Sequence, residues 1–305
     1  MSCIVTGGSG MVGQHLRELL PDAIYLSTNT CDLTRYEDVN ALFHEYKPDT
    51  VVHLAAKVGG ILQNIASPAD FYDVNTQINS NTLIAAKEHG VRNFLAVLST
   101  RMYPDTVDSY PMTESDIHLG PPAAANFSYA YTKRCMAVQI DAYNRQHGLD
   151  YNYVIPCNLY GENDNFEDSN KSHFVTALIK KIIDAEKACE KRIELFGTGK
   201  PMRQFMHTAD LARVIKVILD KGITDSFNVA PPEQNYSIDQ MARMTLEVLG
   251  KTDWQVHYDS GKPDGQYRKD VSSAKMISLL GDFEFTGFKE GVLRVYNKIK
   301  LEYGK

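Results

Sequence analysis

Apolar and polar positions change period repeatedly along the first half of the chain. Cys3-Ile4-Val5 is a short apolar run, and residues 14–20 then have spacing that suits a helix. Residues 23–28 read as a second strand, 36–46 as a helix and 50–56 as a third strand. Residues 71–88 read as a long helix, 93–99 as a fourth strand, 129–147 as another long helix and 153–156 as a further strand. Strands that alternate with helices in this way predict an α/β protein with a doubly wound parallel sheet. Ligands of such sheets bind at the carboxyl ends of the strands. The rhythm fades after about residue 157, where Gly/Pro turns carry basic residues, as in 197–203 and 264–269. The pattern predicts one domain over 1–157 and a smaller α/β substrate-binding domain over 158–305. Segments near 205–230, among them 227–230, are expected to return to the main sheet.

Between the first strand and the first helix stand Gly7, Gly10 and Gly13. That context turns a common glycine triplet into a dinucleotide fingerprint, and makes the sheet Rossmann-type. Gly7 allows the tight turn, Gly10 admits a pyrophosphate, and Gly13 lets the helix approach the strand. The helix amino terminus adds free N–H groups and a positive dipole end for the phosphates.

The bulk numbers narrow the class without adding chemistry. The 305 residues are 43% hydrophobic and 23% charged, an ordinary globular profile. A net charge of −6 points to neither a nucleic-acid nor a membrane partner. No apolar run reaches the roughly 18 residues of a membrane span, and no signal peptide is expected ahead of the glycine motif. The five cysteines form no C-x-x-C pair, so neither a structural metal nor a disulfide framework is expected, and the chain reads as cytoplasmic.

Tyr129 and Lys133 lie four apart on a predicted helix and share a face. An ammonium beside a phenol favours the phenolate and makes the Tyr a better acid/base near neutral pH. The same spacing recurs at Tyr258/Lys262 and Tyr296/Lys300, which read as ordinary surface pairs. Only the first copy has the fingerprint domain and an upstream strand ending in Leu98-Ser99-Thr100, where a hydroxyl reaches the same carbonyl oxygen.

Gly7-x-x-Gly10-x-x-Gly13, His53-Leu54-Ala55-Ala56, Ser99 and Tyr129-x-x-x-Lys133 resemble the extended short-chain dehydrogenase/reductase superfamily. Ala55-Ala56-Lys57-Val58-Gly59-Gly60, Asn158-Leu159-Tyr160-Gly161 with Asp164-Asn165-Phe166, Ser172-His173, residues 197–205 and residues 264–269 resemble its GDP-L-fucose synthase branch, the GDP-4-keto-6-deoxy-mannose epimerase/reductases. The resemblance spans nearly the whole chain. It implies NADPH-dependent reduction of a ketone at sugar carbon 4, with epimerisation at carbons 3 and 5. By match, Ser99 hydrogen-bonds the carbonyl, Tyr129 protonates the alkoxide, and Lys133 holds the nicotinamide ribose. His173 matches one of the two epimerisation groups. Met11, Val12, Leu54, Ala55 and Ala56 join the glycines as cofactor contacts. Asn158, Lys181, Arg203 and Lys269 match substrate contacts, Lys181 and Arg203 at the GDP diphosphate and Lys269 near the nucleotide. A homodimer paired through the two long helices is also implied; apolar positions such as Met136, Ile140 and Tyr143 suit either core or interface.

Two departures stand out. The branch has a Cys where this chain has Arg101, in Ser99-Thr100-Arg101-Met102-Tyr103-Pro104. A thiol exchanges protons near neutral pH, whereas a guanidinium does not. Arg101 is still able to stabilise an enolate. The second is Gly161-Glu162-Asn163, where the branch has Gly-Pro-His. Three readings follow: a C4-reductase of a GDP-linked 4-keto deoxy- or heptose sugar with impaired epimerisation, a full epimerase/reductase, and a nucleotide-binding regulator without catalysis. The intact Ser99/Tyr129/Lys133 set weighs against the last. The second strand ends Ser27-Thr28-Asn29-Thr30 without the acid that binds an NAD ribose, which favours NADP(H) although no Arg or Lys stands in that turn. Asp32 is placed nearer the adenine.

Overall fold

The computed structural model describes residues 2–166, 172–262 and 264–303. Its first half runs β1 (Cys3–Thr6), α1 (Met11–Leu19), β2 (Ile24–Tyr25), α2 (Tyr36–Tyr46), β3 (Thr50–His53), α3 (Ile61–Ala66), α4 (Pro68–Glu88), β4 (Asn93–Val97), α5 (Phe127–His147) and β5 (Asn152–Pro156). The second half runs β6 (Asn158–Tyr160), α6 (Phe174–Lys187), β7 (Arg192–Phe196), β8 (Met202–His207), α7 (Thr208–Lys221), β9 (Phe227–Val229), β10 (Asn235–Ser237), α8 (Ile238–Val248), β11 (Gln255–Asp259), α9 (Ala274–Leu280) and α10 (Phe288–Tyr303).

Six strands form a parallel sheet in the order β2-β1-β3-β4-β5-β9. From β1 the chain winds first towards β2 and then back past β1 to β3, so the order reverses there and opens a crevice at the strand ends. The sheet is buried on both faces: Ile4, Val5, Val51, Val52, Leu95, Ala96, Val154 and Ile155 are nearly or wholly inaccessible. Its strands are therefore continuous apolar runs rather than alternating ones.

Several strands stop earlier than their apolar pattern suggests. β3 ends at His53 rather than 56, β4 at Val97 rather than 99, and β2 keeps two of its six expected residues. Regular pairing ends where the chain must leave the sheet to wall the crevice. Leu54 N–H still donates to Thr6 O, but Ala55 N–H donates to the Thr6 hydroxyl at 3.2 Å. Helix α3 is absent from the sequence pattern, since six residues are too few to show a period and its Ile61, Leu62 and Ile65 are exposed.

The main core surrounds the six-stranded sheet and takes in Leu211, Val214, Ile215 and Ile218 of α7. Two further apolar clusters lie beyond it. One joins Tyr160, Val175, Ile179, Phe205, Met241 and Phe288. The other joins Leu178, Ile182, Ile193, Leu195 and Leu246. These hold β10-β8-β6 and the parallel pair β11-β7 beside the crevice. Among the described residues no helix is long and apolar enough to cross a membrane.

Candidate active site

A cavity of about 680 Å³ opens at the carboxyl edge of the sheet, within the range of small-molecule and cofactor sites. One end is the turn between β1 and α1. Gly7 has φ +68°, and a Cβ there would lie 2.8 Å from Ala55 N. A Cβ on Gly13 would lie 2.7 Å from the Gly8 backbone, so only glycine lets α1 sit this close. Gly10 stands at the N-cap of α1 and offers no side chain to cap it. Gly10, Met11, Val12 and Gly13 line the cavity, which leaves the helix end to serve a phosphate. Leu54, Ala55 and Ala56 form the neighbouring wall. A dinucleotide fits this cradle.

At the adenosine end the cavity meets Ser27, Thr28 and Asp32. The Asp32 carboxylate accepts from the Thr34 amide at 3.0 Å and the Thr34 hydroxyl at 2.7 Å, bonds that hold its pKa low. The Thr30 hydroxyl is spent within the turn, on the amide and carbonyl of Ser27. Arg35 stands next to this turn, its amide on Asp32 O and its guanidinium 3.7 Å from Asp38. The sequence pattern gave no sign that this cation belongs to the loop.

The other end carries Ser99, Tyr129, Lys133, Arg101, Asn158 and His173, all on the cavity wall. Ser99 caps a short 3-10 turn and accepts from the Arg101 amide at 3.2 Å. Burial raises the Tyr129 pKa; the Arg101 charge and a hydrogen bond with Ser99 oppose that rise. The guanidinium carbon of Arg101 is 5.8 Å from the Tyr129 ring centre. Lys133 is equally far from that centre and donates to Val97 O at 2.9 Å. Burial brings its pKa down to about 8. Arg101 therefore joins Lys133 as a cation beside the phenol, and its charge favours ionisation. Behind Lys133 a buried chain runs from Thr6 to His53 (2.9 Å) and on to Asn79 (3.2 Å). Burial, and then the charge of Lys133, hold His53 down at about 3, so it stays neutral.

His173 is oriented by Asp164. The Asp164 carboxylate pairs with His173 Nδ1 at 3.0 Å and accepts the His173 amide at 3.1 Å. Burial pushes the Asp164 pKa up, but its bonds and charge pairing with His173 prevail and lower it. This pairing leaves Nε2 for a ligand. The sequence shows Asp164 only as part of a motif; its partnership with His173 depends on a turn that periodicity does not reveal.

Arg203 and Lys269 lie beyond the cavity wall but act electrostatically on one another. Burial, then Arg101, then Arg203 depress Lys269 to about 7, with Asp105 opposing. Among the described residues none of these three cations has an ion-pair partner within 4.0 Å. Lys181 is turned elsewhere, donating to Glu194 O at 2.7 Å and lying over Phe196. The other Tyr/Lys copies are also remote from the cavity: Tyr258 donates to Asp239, and Lys300 to the Tyr296 hydroxyl.

Comparison with known proteins places the sequence and the fold. Residues 3–230 match the NAD dependent epimerase/dehydratase family. The GDP-L-fucose synthase of Dictyostelium discoideum is 35% identical over 298 residues, 95% of this chain and 92% of that protein. The GDP-L-colitose synthase of Yersinia pseudotuberculosis is 33% identical over 311 residues, 100% of this chain and 95% of that protein. A crystal structure of a GDP-L-fucose synthetase from Naegleria fowleri bound to NADP superposes with a TM-score of 0.89 at 30% identity, covering 100% of this chain and 94% of that one. Fold, glycine turn and sequence agree: this chain belongs to the NAD dependent epimerase/dehydratase family.

Proposed function

We propose that this chain is an NADP(H)-dependent oxidoreductase that reduces the 4-keto group of a GDP-linked deoxy- or heptose sugar and inverts carbons 3 and 5 poorly. The observation that carries this reading is one cavity that joins the glycine turn to Ser99, Tyr129, Lys133 and Arg101. Relatives named for GDP-L-fucose and GDP-L-colitose support the GDP-sugar, and the NADP-bound Naegleria structure supports the cofactor. The nicotinamide supplies a hydride to the ketone carbon when bound. Ser99 and Tyr129 hold the ketone oxygen, and Tyr129 delivers the proton that makes it a hydroxyl. Arg101 stabilises the negative charge that builds on that oxygen. Lys133 holds the nicotinamide ribose. Arg203 and Lys269 hold the diphosphate, and Lys181 joins them only by giving up the Glu194 carbonyl.

A full epimerase/reductase is the second reading, favoured by the Asp164–His173 pair, which is built as an acid/base. Absorbance of NADPH with GDP-4-keto-6-deoxy-mannose tests the shared core of both. Stoichiometric loss of absorbance is expected; no loss with any GDP-4-keto sugar refutes oxidoreductase function.

The turn at 27–30 carries no acid to repel a 2′-phosphate. NADPH is therefore expected to show a higher kcat/KM than NADH, and Asn29→Asp to reduce that preference by on the order of tenfold through like-charge repulsion. A wild-type preference for NADH contradicts this.

The chain is proposed to act in the cytoplasm as a homodimer. Met136 and Ile140 are spent on the protomer's own core, but Tyr72 of α4 and Tyr131 and Val138 of α5 remain exposed. Light scattering at micromolar concentration is expected to give twice the 34.2 kDa chain mass; a strictly monomeric mass refutes pairing.

A further inference from the structure

Behind the phosphate turn, and outside the cavity wall, three residues far apart in sequence converge. His15 comes from α1, Glu162 from the turn after β6, and His207 from the end of β8. Glu162 Oε2 lies 3.0 Å from His207 Nε2 and 3.4 Å from His15 Nε2. All three atoms fall within 4.8 Å of one another. His207 is wholly buried, and the side chains of His15 and Glu162 are about four-fifths covered.

The alignment of these atoms is informative. Their distances suit ion pairs, yet His15 Nε2, Glu162 Oε2 and His207 Nε2 are all buried without a hydrogen bond of acceptable geometry. The Thr208 hydroxyl next to them is in the same state, and it packs where a side chain on Gly161 would stand. Buried polar atoms in native proteins have partners, and a cluster of such atoms calls for a shared one. Here the three atoms crowd within 4.8 Å of one another; burial raises the Glu162 pKa, but the two histidines hold the carboxyl well below the usual carboxylate range. Two imidazole nitrogens and one carboxylate oxygen are the donor set of a divalent transition metal, zinc above all.

We propose that His15 Nε2, Glu162 Oε2 and His207 Nε2 bind one divalent cation of the zinc class, which staples α1, the β6 turn and the start of α7. The site is structural, since it does not face the cavity. It places a staple between the helix that grips the pyrophosphate and the turn that presents Asp164 to His173. Binding has one local cost. The Ala209 amide donates to His207 Nδ1 at 3.3 Å, which favours a proton on Nε2. Metal binding moves that proton to Nδ1 and releases the amide. A single long cap contact is a small term beside three metal bonds.

The test uses the full chain with Cys135→Ser and Cys189→Ser, because both thiols are exposed and bind zinc adventitiously. After dialysis against EDTA, ZnCl2 is titrated by calorimetry at pH 7.5, and melting is followed with and without the metal. One site per chain is expected, with Kd about 1 μM or tighter and a raised Tm. Glu162→Gln and His15→Gln should each weaken binding by on the order of 10²-fold or more. Their metal-free circular dichroism reports whether the fold survives; His207 is left alone because it caps α7. Absence of saturable zinc binding overturns the proposal. So does binding of equal strength in folded Glu162→Gln and His15→Gln, which would leave the cluster a proton-held clamp.

Discussion

Replacing Tyr129 by Phe is expected to lower kcat for ketone reduction by about 10²–10⁴, or about 3–5 kcal/mol of transition-state stabilisation. The change removes one oxygen from a buried ring on α5, so the helix and the dinucleotide cradle stay intact. Titration of the variant with NADPH should give a Kd close to wild type. The loss is expected in kcat, because an acid in the proposed role acts where the alkoxide forms. Burial raises the phenol's pKa, so Tyr129 enters the reaction protonated, as an acid must. Arg101 and Ser99 lower the cost of the tyrosinate that remains once the proton is given. A variant that reduces its ketone at near wild-type rate removes Tyr129 from the mechanism.

The wild-type chain is expected to reduce GDP-4-keto-6-deoxy-mannose without efficient exchange at carbons 3 and 5, so that GDP-L-fucose is not the main product. Inversion needs a proton removed from one face and returned to the other. In the proposed reading His173, oriented by Asp164, serves one face, and Arg101 takes the place of the second proton-transfer group. Burial lowers the Arg101 pKa, but a guanidinium stays charged and has no proton-accepting lone pair near neutral pH. Arg101→Cys should raise solvent-deuterium incorporation beside the ketone by on the order of 10², the worth of a positioned acid/base. The same variant should reduce more slowly, since it removes one of the two cations beside Tyr129. GDP-L-fucose as the main wild-type product, deuterated at both carbons, would defeat this account of Arg101.

The chain's local patterns carry most of its architecture. The α2 helix spans the expected residues, α4 and α5 start within three residues of expectation, and the parallel sheet follows from strands alternating with helices. These features are legible because burial on one face or on both leaves a regular apolar period. The strand ends were less legible. Where β3 and β4 stop is decided by the chain leaving the sheet to wall the cavity, which Leu54, Ala55 and Leu98 do without losing their apolar character.

The candidate site divides in the same way. Gly7, Gly10, Gly13, Tyr129 and Lys133 are visible in the sequence because a turn or one helical face brings each set together at short range. The position of Ser99 beside Tyr129 follows from the parallel sheet. The partners of these residues come from distant segments: Asp164 behind His173, Asn79 and His53 behind Lys133, and the grouping of Arg101 with Arg203 and Lys269. Glu162 is visible in the sequence only as a departure from a motif, and it acquires His15 and His207 once α1, β6 and β8 pack together. Local pattern is enough for the parallel sheet, the glycine turn and the shared helical face of Tyr129 and Lys133. Packing between distant segments decides that Arg101 comes to Tyr129, which carboxylate orients His173, and where buried polar atoms meet. Those outcomes depend on distance and burial between elements, and no local period encodes either.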